Sequence, residues 1–331
     1  MADMTFGITL PNRGVTLGIC TVEDLLDLAD MAEACPEMDS VWVGDALFVN
    51  RRLDALMLLA AVAGRTARVL LGPACMGSFA LRDPKVLAYE WASLDRLSGG
   101  RTRMVACSGG GAGPLWRAES AAMGLDPADR HKKMIDNIAV LRHLWTTDGE
   151  PYESAFESFS GVTLEPKPIQ SPCPIWLATN AGRQSRGPAE TGGSAFALRR
   201  VGRVADGWMT HGVSPEGFQK SWEMILEAAA EHGRDTSGFD HVLYHHINDD
   251  RDAALADSKR FLDLYYGADY TKERLEAWLT YGSPADCIDH LRRYRAAGVR
   301  RITVRISTMG DARHQFRRMA EEVLPFVNRD G

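Results

Sequence analysis

Short apolar runs rich in β-branched residues alternate with amphipathic helical patterns along nearly the whole chain, and this alternation constrains the fold most. Parallel neighbours in a sheet need a crossover of a dozen or more residues, which a helix supplies. Eight runs read as strands: Thr5 to Leu10, Ser40 to Val43, Val69 to Gly72, Arg103 to Cys107, Pro174 to Ala178, Gly207 to Met209, His241 to Ile247, and Arg301 to Ile306. No Pro/Ser-rich linker or internal repeat divides them. Eight strands in one alternation predict an α/β protein, a (β/α)8 TIM barrel, as a single domain over 1–331.

The intervening helices carry legible start and stop signals. Thr21 with Asp24 caps one, and Asp83-Pro84, Ser214-Pro215 and Ser283-Pro284 each put a capping side chain before an N1 proline. Gly298 reads as a left-handed stop. Helical spacing is clear from Arg130 to Trp145 and from Ala312 to Val327. Two insertions interrupt the alternation, in the loops after strands 4 and 5. Thr146 to Ser171 predicts an excursion with a short hairpin, and Asn180 to Ser194 is a Gly/Ser/Arg loop too long for a mere connector.

Composition excludes several classes. Of 331 residues 45% are hydrophobic and 25% charged, as in ordinary globular proteins, which argues against disorder. The 38 Lys and Arg against 44 Asp and Glu give a net charge of -6, with no basic aromatic stretch, so neither nucleic acid nor an anionic membrane is an expected partner. No run approaches the ~20 apolar residues of a membrane span, and the start lacks a secretory pattern. A cytoplasmic location is the expectation. The six cysteines show no CxxC or metal-ligand spacing, as expected of reduced thiols.

Barrel chemistry sits at the C-terminal ends of strands. There, Cys107 to Pro114 (CSGGGAGP) reads either as a ligand-touching loop or as a flexible turn, and it fits no standard phosphate motif. Thr191, Gly192, Gly193 and Ser194 lead into a helix whose first amides suit a phosphate; a simple N-cap with a glycine hinge is the alternative. Asp45 follows strand 2, either facing a ligand or holding a neighbour. His245 and His246 must point to opposite faces of one strand, and His211 stands just past another as a candidate general base. Trp42, Phe79, Trp176 and Trp208 are candidates for pocket wall or for core. The absence of HExxH, of GxSxG and of an activated cysteine leaves no evident protein nucleophile or metal site. A cofactor is then the expected carrier of the chemistry.

The motifs FGITLPNRG, DSVWVGD, YEWASLDRLSGGR, VTLEPKPIQ with PIWLATN, LRRVGRVADGWMTHGVSP and AGVRRITVRIS resemble, in order, the bacterial luciferase-like flavin-dependent oxidoreductases. The resemblance implies a barrel whose mouth binds FMN or the deazaflavin F420, often in dimers. It implies a cis peptide at Ala74-Cys75, cofactor contacts from Asp45, Ala74, Cys75, Ser108, Gly109 and Met209, and phosphate contacts from Asn180, Gly192, Gly193 and Ser194. Many members carry a histidine directly after the strand 2 acid, where this chain has Ala46. The histidine and arginine set of the alkanesulfonate monooxygenases finds no match. His211 and His246 remain the catalytic candidates. The leading expectation is a monooxygenase that takes reduced FMN from a separate flavin reductase and uses O2 on a small organic substrate. An F420-dependent hydride-transfer enzyme and a non-catalytic flavin-binding relative are the alternatives.

Overall fold

The computed structural model describes residues 3–110, 113–179 and 193–329. All eight expected strands form: β1 Thr5–Leu10, β2 Met38–Val43, β3 Leu70–Pro73, β4 Met104–Ala106, β5 Ile175–Ala178, β6 Gly207–His211, β7 Asp240–Asn248 and β8 Arg301–Ile306. They pair in parallel in the order β3-β2-β1-β8-β7-β6-β5-β4. Bridges Leu71–Thr102 and Met76–Ala106 join β3 to the β4 segment, so the sheet closes on itself. A short strand not foreseen in the sequence, Leu279–Tyr281, pairs in parallel with the last residues of β7, His246 to Asn248. Three residues between two helical patterns leave no alternation from which to read it.

The helices start where their caps place them. Thr21 and Asp24 form a reciprocal capping box, as do Ser283 and Asp286, and Asp83 and Ser214 accept the first free amides of their helices. Gly298 takes φ 88°, as its stop role requires. The last helical stretch departs from the expected regular helix: Met319–Val323 is a π turn, and Leu324–Val327, with Pro325 in its first turn, resumes the α-helix. The excursion after β4 carries the expected hairpin, Tyr152–Glu153 against Ser158–Phe159, with Tyr152 stacked on Phe159. The insertion after β5, with Asn180, Thr191 and Gly192, lies outside the described residues. No helix among the described residues is long and apolar enough to cross a membrane.

Strand alternation sorts the core into two layers. Phe6, Ile8 and Leu10 of β1 and Val41 and Val43 of β2 pack outward under the helices. Trp42, Val105, Trp176, Met209 and Val242 point inward as a separate buried cluster. The Trp42 and Trp176 rings lie 6.0 Å apart, and glycines on the adjacent strands leave them room. A Cβ on Gly72 would sit 2.7 Å from the Trp42 ring and 2.3 Å from the Arg103 carbonyl; one on Gly207 would sit 2.5 Å from Trp176. Gly72→Ala is therefore expected to lower unfolding free energy by about 2 kcal/mol or more, because backbone cannot yield as a side chain would. Urea unfolding followed by tryptophan fluorescence measures this, and an unchanged midpoint would contradict the packing account.

Histidines of the outer layer bind the barrel to its helices in neutral form. His241 packs on Phe218 and Trp222, and its Nε2 accepts the Arg300 amide at 2.9 Å. His245 meets His290 and Tyr294, and His290 pairs with Thr280. Burial lowers both His241 and His290 to about 4. The unfolded chain takes up these protons near its ordinary value of about 6.5, so stability is full above that pH and is lost as pH falls toward 4. At pH ~5 each histidine is expected to remove about 2 kcal/mol. Urea midpoints at pH 7.5 and 5 test it; equal midpoints would show that these histidines protonate without cost.

Candidate active site

Strand ends converge on a cavity of about 250 Å³ at the C-terminal mouth of the barrel. Its floor is Ala74, Cys75 and Ala178, which pack on the inward tryptophan cluster, and Met209 belongs to that cluster and reaches the cavity. The Ala74–Cys75 peptide is cis. The plug thus fixes the height and the apolar character of the floor.

Two ionic networks hold the loops around this floor. Asp45 accepts the Ser78 amide at 2.7 Å and meets Arg82 at 3.3 Å, while Arg82 also pairs with Asp54 at 2.7 Å. Across the mouth, buried Arg130 donates to the carbonyls of Ser108 and Gly77 and to the Ser120 hydroxyl, with Glu119 3.6 Å away. Glu119 in turn accepts the amides of Phe48 and Val49. Arg130 therefore ties the loop after β4 to the loop after β3. Gly109 is required at this junction: its φ is 73°, and a Cβ there would lie 2.4 Å from the Gly77 carbonyl.

Above the floor the walls are aromatic and cationic. His211 stacks on Trp278 at 4.9 Å and meets Tyr244 edge-on. Burial, with Arg274 nearby, lowers His211 to about 4, so it is neutral at physiological pH. Arg305, 2% exposed, lines the cavity beside Tyr266. The thiols of Cys75 and Cys107 face each other at its edge, and that contact together with burial pushes Cys75 up.

Next to the cavity, and sharing Cys107, Gly109 and Ala178 with it, lies a slot of about 330 Å³. It is lined by Ser108, Thr179 and Ser194, the last being the N-cap of helix Ala195–Val204, and by Arg200, whose Nη1 is 3.1 Å from His131 Nδ1. First-turn amides, a hydroxyl and a guanidinium at one end of a slot suit an acidic group. Among the described residues no group of three or more His, Cys, Asp or Glu side chains could hold a metal ion.

The structure brings Asp45, Ala74, Cys75, Gly109, Met209 and His211 to the cavity, and Ser108, Gly109 and Ser194 to the slot. A Cβ on Gly193 would meet Thr179 at 3.0 Å, so a bulky side chain there would disturb packing as well as any bound phosphate. Asn180 and Gly192 are outside the described residues. His246 points inward as one of the two alternatives allowed, but it is 0% exposed and packed under Trp278 and Tyr244, behind the cavity wall. Trp42 and Trp176 are the plug beneath the floor, and Trp208 faces outward onto Phe218 and Trp222, so these three are core. Phe79 is also core. Sequence reasoning misses Trp116, Tyr244, Tyr266, Trp278 and Arg305, all of which line the cavity. Arg305 has a signal: a charged residue at an inward position near the end of an apolar strand.

Comparison with known proteins agrees with this architecture. An F420-dependent secondary alcohol dehydrogenase, solved with an F420-acetone adduct, superposes with TM-score 0.78 at 18% identity, covering 99% of this chain and 100% of that one. The monooxygenase RslO1 from Streptomyces bottropensis gives TM-score 0.80 at 21% identity over 97% and 99%. In sequence, the chain is 24% identical to an F420-dependent glucose-6-phosphate dehydrogenase of Amycolatopsis mediterranei over 91% of this chain and 93% of that enzyme. It is 29% identical to an FMNH2-dependent dimethylsulfone monooxygenase of Pseudomonas putida, across 46% of this chain and only 38% of that enzyme. The sequence pattern of one family, described as luciferase-like monooxygenase, matches residues 4–301. With a barrel mouth built from the same strand ends that carry the shared motifs, the chain belongs to the luciferase-like monooxygenase family.

Proposed function

We propose that the protein is a flavin-dependent oxidoreductase, and specifically a monooxygenase that works with reduced FMN delivered by a separate reductase. The observation that carries the flavin reading is the continuity of the apolar floor with a slot that carries a serine N-cap and an arginine, which together fit a flat ring with an acidic chain. Ala74, Cys75, Ala178 and Met209 would support the ring, and Ser194, the following helix amides and Arg200 would hold the phosphate. Bound reduced FMN supplies the two electrons for oxygen activation.

The chain's own residues favour oxygen chemistry over alcohol oxidation. Removing a hydroxyl proton at neutral pH calls for a base whose pKa lies near 7. Ala46 offers none, Asp45 is held by Arg82 and the Ser78 amide, and His211 sits at about 4. What these groups can do is enclose: the aromatic wall excludes water from the floor. Neutral His211 can exchange one hydrogen bond at a ring nitrogen without placing charge beside the substrate. A second reading, F420-dependent hydride transfer, draws support from relatives that match along most of their length.

Titration of the protein with FMN and F420, each oxidised and reduced under anaerobic conditions, separates the two readings. Preference for reduced FMN, with oxygen uptake on adding air and substrate, is the expected result; preference for F420 would overturn the monooxygenase reading. Arg200→Ala and Ser194→Ala are each expected to weaken FMN binding by about tenfold, the cost of a lost charge-assisted hydrogen bond, while riboflavin, which has no phosphate, binds unchanged. Equal losses for FMN and riboflavin would remove the slot as the phosphate site.

A further inference from the structure

One strand carries two inward-facing arginines with opposite surroundings. At the lower end of β8, Arg301 is matched by two carboxylates, with its Nε 2.9 Å from Asp39 and Nη1 on Asp240. Four residues on, at the mouth, Arg305 is more deeply buried and has no carboxylate within ion-pair distance among the described residues. Its Nη1 donates to the Tyr266 hydroxyl at 3.0 Å, its guanidinium lies 4.4 Å and 5.3 Å from the rings of Tyr265 and Tyr244, and its Nε is buried with no hydrogen-bond partner. An arginine does not shed its proton. Ring faces and a phenol recover only part of what a buried cation loses in leaving water.

Arg274, which does not itself line the cavity but stands against its wall residue Trp278, repeats the pattern. Its Nη1 is buried and unpartnered, it stands over the Trp278 ring at 6.0 Å, and it too has no carboxylate in reach among the described residues. Asp45, the one acid among the described residues that line the cavity, is already taken by Arg82. The aromatic end of the cavity therefore carries cationic charge that the described part of the chain does not neutralise, away from the slot that suits a cofactor phosphate.

We propose that this end of the cavity is a receptor for the acidic group of the substrate, and that the substrate is a small organic carboxylate with a flat apolar body. A guanidinium with a free Nε edge offers two parallel donors, which a planar carboxylate matches. Trp278, His211 and Tyr244, packed on one another, line this end as an apolar aromatic wall for the body. The proposal rests on the reading of this cavity as the oxidoreductase site. Arg305 is a binding residue in it, and Tyr266 positions the guanidinium through its hydroxyl.

The test uses benzoate and its uncharged counterpart benzamide as probes, titrated against the full chain by tryptophan fluorescence, with and without FMN. Benzoate is expected to saturate and to bind about tenfold or more tightly than benzamide, and Arg305→Met is expected to abolish that preference. Should Arg305→Met fail to fold by circular dichroism, Arg274→Gln, at a partly exposed position, is expected to reduce the preference about threefold. Equal binding of the two probes, or a preference kept in the folded variants, overturns the proposal. So does a wild type that binds no benzoate while Arg305→Met loses FMN, since the guanidinium would then serve the flavin. Selective benzoate binding in a protein that binds no flavin would leave the carboxylate receptor standing and overturn the flavin reading instead.

Discussion

The packing of Trp42 against Trp176 inside the barrel is the contact on which the site depends. Two indoles fill a space that eight strands would otherwise close with smaller branched side chains, and they do so because glycines on β1, β3 and β6 leave the volume. The consequence reaches upward. Ala74, Cys75 and Ala178 rest on this plug, so the floor of the cavity is flat, apolar and fixed in height before any loop is considered. A site that must seat a planar group gains from a support that side-chain rotation cannot reshape.

Charge is distributed around that floor by a simple rule. Carboxylates at the mouth are spent on structure: Asp45 and Asp54 on Arg82, Glu119 on Arg130 and on the amides of Phe48 and Val49. Each of these pairs fixes one loop relative to another, which matters because loops on a barrel have no ladder of their own. A buried pair of this kind adds little net stability and much geometric definition. The cost of losing one partner is larger, since the other charge is left buried and alone.

The barrel is legible in the sequence because its signals are local. Period-two strands, capping residues before prolines and glycine stops each depend on a few neighbours, and they place every barrel strand within two residues of its observed ends. The floor positions Ala74, Cys75 and Met209 follow from resemblance to a family rather than from residue chemistry. The aromatic wall follows from neither. Tyr266 and Trp278 come from segments between β7 and β8 whose helical spacing says nothing about which side chain turns toward the mouth. His246 shows the same limit from the other direction: alternation gives it an inward side chain, yet its depth under Trp278 is a tertiary fact. The tryptophans are ambiguous between wall and core because a strand position alone does not say how far up the barrel the filled layer extends.

Arg301 and Arg305 show why position along the barrel axis, and not residue type, separates stability from function. Both lie on the inward side of β8, and both are largely removed from water. At the lower end Arg301 is closed into a group with Asp39 and Asp240 that joins three strands, its charge matched within the fold. At the upper end the same geometry is left open, with ring faces where carboxylates would neutralise the charge. Supplying Arg305 with an acid on a neighbouring strand would relieve the buried cation and stabilise the fold, as it does four residues earlier. The described part of the chain does not take that course at the mouth. An uncompensated buried charge is tolerated where something other than the fold completes it, and the C-terminal face of the barrel is where that completion can occur.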